Sequence, residues 1–208
     1  MLRLSPQTRR LAAALSALAG FVDAVGFLSL GGFFVSFMSG NSTRLAAGIA
    51  EGSSWTWLAL ALIAAFVSGV AGGTRVARSA KKRSRSAVLI LVAILLVAAC
   101  LTASAGFATA SVLLAAVAMG AENAVFMRDG GLPVGLTYMT GTLVRLGQEL
   151  GGMGSGNERG AWKAYAWHWL ALVGGAIAGA LFHRLGGLSA LWIAALAATI
   201  LAWVERRE

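Results

Sequence analysis

Apolar runs of membrane-spanning length alternate along this chain with short polar or glycine-rich breaks, and the alternation comes twice in the same order. The first series reads as a helix over 11–30, an interrupted segment over 33–50, and helices over 55–76 and 87–104. The second reads as a helix over 107–127, an interrupted segment over 134–150, and helices over 162–182 and 188–204. Twenty residues of helix reach across roughly 30 Å of hydrocarbon, so the longest uninterrupted runs can span. The two interrupted segments do not read as simple spans. Ser39, Gly40, Asn41, Thr43 and Arg44 break the first, and Thr140, Gly141, Thr142 and Arg145 break the second.

The two series match in register as well as in order. Asp23-Ala24-Val25 precedes Asn123-Ala124-Val125 by 100 residues, and Met38-Ser39-Gly40 with Arg44-Leu45 precedes Met139-Thr140-Gly141 with Arg145-Leu146 by 101. Gly69 and Gly73 with Arg78 precede Gly175 and Gly179 with Arg184 by 106. Landmarks recurring in one order predict an internal duplication, with halves of about 9–104 and 105–204 inside a single membrane domain covering 1–208.

Composition agrees with this class. The 208 residues are 58% hydrophobic and 12% charged, with a mean hydropathy of +0.78, and an ordinary soluble domain carries about twice that share of charge. The expected architecture is an all-α polytopic membrane protein. The net charge of +9 does not read as a nucleic-acid footprint, because the basic residues fall between apolar runs, where they mark a membrane edge. The chain has one cysteine, Cys100, in an apolar run, which excludes an intrachain disulfide. His168 and His183 stand without ligands at metal spacing, and Gly151-Gly152-Met153-Gly154-Ser155-Gly156 lacks the Lys and Ser/Thr of a phosphate loop. Neither a metal nor a cofactor is expected, and the glycine run reads as a connection.

Charge counting chooses the topology. If all eight segments crossed, eight basic residues would fall inside and seven outside, which is almost no bias. If 33–50 and 134–150 enter without crossing, six spans leave both termini inside. Fourteen of the 17 Lys and Arg residues are then cytoplasmic, Arg184 alone is outside, and Arg44 and Arg145 belong to the re-entrant segments. The positive-inside rule therefore predicts six spanning helices plus two broken or re-entrant helical segments, with cytoplasmic N- and C-termini. Three crossings per half would turn the second copy over, giving an inverted-topology repeat.

The stretch DAVGFLSLGGFFVSFMSGNSTRLAAG, Asp23 to Gly48, resembles the signature of the YoaK family of bacterial inner-membrane proteins, a group catalogued as a domain of unknown function. Ser39 stands where many relatives have Thr, and both are small hydroxyl residues. The resemblance covers nearly the whole chain and implies about six spans and a place in a bacterial inner membrane. It implies no catalytic residue.

The polar residues at depth are the candidate site. A carboxylate in an apolar helix costs several kcal/mol unless it pairs or takes a proton, so Asp23 reads either as a hydrogen-bonding support for the broken segment or as a solute or ion ligand. Glu122 and Asn123 stand at the matching place in the second half. Arg44 and Arg145 offer planar forks suited to carboxylate or phosphate, or else pair with Asp23 and Glu122 or reach for headgroups. Ser39, Gly40, Asn41, Thr43, Thr140, Gly141 and Thr142 satisfy a broken backbone or line a pathway; irregular backbone at this depth needs a protein interior or a polar cavity. The glycine pairs, four residues apart, predict close helix packing.

The expected function is a secondary transporter or permease for a small solute of unidentified nature, anionic if the two arginines bind it, with a proton or ion as a coupling partner. A channel and a membrane assembly or structural protein without transport activity are the alternatives. An enzyme is not expected, because no nucleophile, acid and metal group converge in the sequence. The lipid bilayer is the other expected partner, and a body of 208 residues is compatible with a homo-oligomer.

Overall fold

The computed structural model describes residues 5–127, 139–152 and 162–207, and every regular element among them is helical. The elements are α1 (Pro6–Ser29), α2 (Met38–Glu51), α3 (Thr56–Ser79), α4 (Ser84–Ser104), α5 (Ala108–Glu122), α6 (Met139–Leu150), α7 (Trp162–Gly186) and α8 (Leu191–Arg207). Single 3₁₀ turns at Lys81–Arg83 and Gly187–Ala190 lead into α4 and α8. Among the described residues, four helical stretches are long and apolar enough to cross a membrane: Pro6–Ser29, Thr56–Ser79, Lys81–Ser104 and Trp162–Arg207. The last holds α7, a 3₁₀ turn and α8 within 46 residues, and α5 is a shorter apolar helix.

Local chemistry sets the ends. Ser5 caps α1, its Oγ accepting from the Thr8 N–H at 3.1 Å, with Pro6 at the first helical position, where its missing N–H costs nothing. Gly31 and Gly32, at φ +63° and +101°, then turn the chain out of α1 in a left-handed conformation that other residues adopt at a cost. The second segment consequently starts at Met38 and not near 33, because 31–37 is an irregular link. α5 stops at Glu122, short of the expected 127, and residues 123–127 continue in turns. The start of the segment expected over 134–150 and most of the glycine run 151–156 lie outside the described residues.

Two crossings hold the bundle together. α1 lies along α7 and α3 along α5, both pairs parallel: Ala17 and Phe21 meet Gly175 and Gly179, while Val117 and Ala121 meet Gly69 and Gly73. A Cβ on any of these four glycines would press on a backbone carbonyl of the facing helix. The reverse contacts repeat the pattern, with Gly20 facing the Leu172 carbonyl and Gly120 the Phe66 carbonyl. Dispersion and close backbone approach are what join helices in lipid, where apolar burial gains nothing over an acyl chain. α4 packs against α5 and α8, and its start meets the end of α8. There Ser86 Oγ donates to the Ala202 carbonyl at 3.1 Å, and Arg85 pairs with Glu205 at 3.5 Å. Arg85 also donates to Thr8 Oγ1 and covers the Phe126 ring, so three other chain segments meet α4 at one guanidinium. α2 packs on α3, and α6 on α7.

Candidate functional site

The link between α1 and α2 is mostly apolar in sequence and is tied to the helices by backbone bonds at its two ends, Gly32 N–H to the Phe27 carbonyl and Gly40 N–H to the Phe37 carbonyl; between them, two side chains supply the bonds. Asp23 Oδ1 accepts from the N–H groups of Val35 and Ser36, each at 2.7 Å. Asn41 closes a ring with Phe34, its Oδ1 accepting from the Phe34 N–H at 3.0 Å and its Nδ2 donating to the Phe34 carbonyl at 2.7 Å. Val35 and Asn41 are fully buried and Ser36 nearly so. An unmet buried N–H costs about 1–3 kcal/mol, so Asp23 and Asn41 fix the link at depth.

The link in turn shapes the start of α2. Phe34 packs on Phe27 and Phe37, with ring centroids 4.9 and 5.1 Å apart. A Cβ at Gly40 would sit 2.6–2.7 Å from the Phe37 and Phe34 rings, so Gly40 is small to admit them. The Ser42 and Thr43 hydroxyls bond back to the Met38 and Ser39 carbonyls of their own helix, and Ser39 is exposed.

Beyond the link lies a cavity of about 670 Å³ between the end of α1, α2 and the starts of α3 and α5. Gly31 and Phe33 contribute the link's wall, Arg44, Gly48 and Glu51 that of α2, and Ser29, Thr56 and Thr109 add hydroxyls. The Arg44 guanidinium lies 4.8 Å from the Phe33 ring centroid, held by a cation–π contact. A Cβ at Gly32 would stand 2.5 Å from an Arg44 terminal nitrogen, so that glycine makes room for the arginine as well as for the turn.

The matching residues of the second half are arranged differently. Asn123 donates to the Met119 carbonyl of its own helix, at 2.9 Å. Glu122 is fully buried, and neither carboxylate oxygen has a hydrogen-bond partner among the described residues. Thr142 is nearly buried on α6, whereas Thr140 and Arg145 are exposed and Gly141 is half-buried. Asp23, Asn41 and Gly40 thus gather around one link, Arg44 opens onto the cavity beside it, and the described packing of α6 is with α7.

Two polar contacts escaped the sequence reading. Ser16 Oγ bonds His168 Nε2 and Ser29 Oγ bonds His183 Nε2, each at 3.0 Å, across the α1/α7 crossing. The partners lie 152 and 154 residues apart, and the only hint was that each polar residue interrupts an apolar helix.

Residues 11–204 match the family described as "Protein of unknown function (DUF1275)". The chain is similar to UPF0700 transmembrane protein RA0705 of Rhizobium meliloti (strain 1021), 41% identical over 192 residues, which is 92% of this chain and 83% of that protein. It is also similar to UPF0700 transmembrane protein YoaK of Bacillus subtilis (strain 168), 29% identical over 142 residues, or 64% and 63% of the two chains. No solved structure matches.

Proposed function

The chain belongs to the DUF1275 family of transmembrane proteins of unknown function, and from that premise we propose that it is a permease for a small anionic solute. The observation that carries the reading is the Arg44-lined cavity beside a backbone link pinned by Asp23 and Asn41. A guanidinium in such a wall binds a carboxylate or phosphate through two parallel N–H bonds. Asp23 positions the link and does not touch the solute. The protein moves its solute without chemistry, and a proton or ion drives the movement.

The same reading takes six crossings, α1, α3, α4, α5, α7 and α8, with α2 and α6 re-entrant and the two halves inverted. Supporting it are the parallel α1/α7 and α3/α5 pairs, the meeting of both chain ends at Arg85, and the charge bias. α5 rises only about 22 Å, and buried Ala124, Val125 and Phe126 extend it toward the roughly 30 Å required.

Uptake of carboxylate and phosphate solutes into proteoliposomes is the test. Arg44→Lys should weaken apparent affinity roughly 10–100-fold, the loss of one charged hydrogen bond, while the melting temperature holds because the residue is exposed. Wild-type flux in both Arg44→Lys and Arg44→Gln would sink the site. In the same vesicles, cysteines placed at 3 and 83 must label from one side and a cysteine at 105 from the other, or the six-crossing arrangement fails.

A further inference from the structure

The outer side of the α4/α8 crossing carries a second, apolar groove of about 390 Å³. It exists because small residues sit at its floor: Ala93 and Ala202, 8% and 4% exposed, let the helices close, with the Ser86 bond to the Ala202 carbonyl behind them. Ile90, Ile94 and Trp203 stand exposed on either side as walls. From Ile90 to Val97 the groove follows about 10 Å of helix, a third of the hydrocarbon thickness.

Charge at one end distinguishes this groove from a plain lipid-facing furrow. α8 finishes in Glu205-Arg206-Arg207. Glu205 turns inward to Arg85, and the Arg207 guanidinium lies 3.5 Å from the Trp203 ring centroid. Arg206 borders the groove and has no hydrogen-bond or ion-pair partner among the described residues. The acidic neighbour Glu205 is therefore engaged elsewhere, and a guanidinium with no partner among the described residues closes the end of an apolar slot at the terminus of a membrane helix.

We propose that the α4/α8 groove binds one anionic phospholipid, its acyl chain along Ile90–Val97 and its phosphate on Arg206. Burial of methylenes in the slot favours any phospholipid, whereas the guanidinium fork favours a headgroup with net negative charge. The proposal rests on the membrane character of the chain and on no part of the transport reading.

Thermal stability and native mass spectrometry of the full chain in detergent, titrated with palmitoyl-oleoyl phosphatidylglycerol or phosphatidylcholine, test it. Phosphatidylglycerol should bind more tightly. Arg206→Gln should erase about a fivefold preference, the worth of one basic residue at a lipid surface, while Arg207→Gln keeps most of it. Thr199→Trp, at an exposed position in the groove, should fill the slot and weaken both lipids. Equal binding of the two lipids to the wild type, or an undiminished preference in Arg206→Gln, would overturn the proposal. So would reproduction of the effect by glycerol phosphate alone, which has no chain to occupy the slot.

Discussion

The α1/α7 and α3/α5 crossings share a backbone geometry and differ in what fills it. In both, glycines at matching places meet carbonyls of a parallel partner: Gly20, Gly175 and Gly179 in one, Gly120, Gly69 and Gly73 in the other. The first crossing is tied by the Ser16–His168 and Ser29–His183 bonds and the tilted Phe21–Phe182 ring pair. In the second, the positions matching Ser16 and His168 are Ala116 and Leu62, both fully buried, and a polar group nearby is Glu122, whose carboxylate has no hydrogen-bond partner among the described residues. Close approach of backbones fixes the crossing, and side chains beyond the contact are free to diverge.

The largest effect should come from breaking what the two share. Gly73→Ala and Gly175→Ala should each lower stability by about 1–3 kcal/mol, because the added methyl meets backbone that cannot turn aside. Gly72 and Gly174 next door have nothing within 4 Å of an added Cβ, and their Ala variants serve as controls. Equal melting temperatures within each neighbouring pair would deny the close contact. Gly152 is a poor control despite its connecting position, because its φ of +82° penalises any side chain.

A middle-sized effect should expose the difference. Ser16→Ala leaves His168 without this hydrogen-bond partner in a buried setting and should cost about 1 kcal/mol. Adding His168→Leu, which copies the residue of the other crossing, should recover most of it. A double-variant cycle showing no coupling would mean that the bond contributes nothing.

The smallest effect is expected at Glu122. Glu122→Gln removes no hydrogen bond to a described residue, so the melting temperature should hold or rise slightly. A loss beyond about 1 kcal/mol, the usual worth of one such bond, would reveal a partner and make the second half more like the first.

Much of this was legible from periodicity and spacing. The apolar runs placed α1, α3, α4, α7 and α8 to within a few residues, and the glycine pairs marked both crossings. The link at 31–37 was less legible, since Phe33, Phe34, Val35 and Phe37 look like the start of a buried helix. What prevents a helix there is two left-handed glycines and the long-range acceptor Asp23, and local pattern carries no record of a bond made 12 residues away. Of the candidate residues, Asp23, Gly40 and Asn41 stood out as interruptions of apolar sequence, but their division between holding the link and lining a cavity needed three dimensions.

The parallel α1/α7 crossing also sets a schedule for biogenesis. Ser16 and His168 are 152 residues apart, so at about 5–20 residues per second the ribosome makes the partner of the first helix roughly 8–30 s after the helix itself. Throughout that interval the glycine-and-serine face of α1 is unclasped by its eventual mate. Until then lipid or another part of the chain covers that face, and the crossing locks only after α7 has been made.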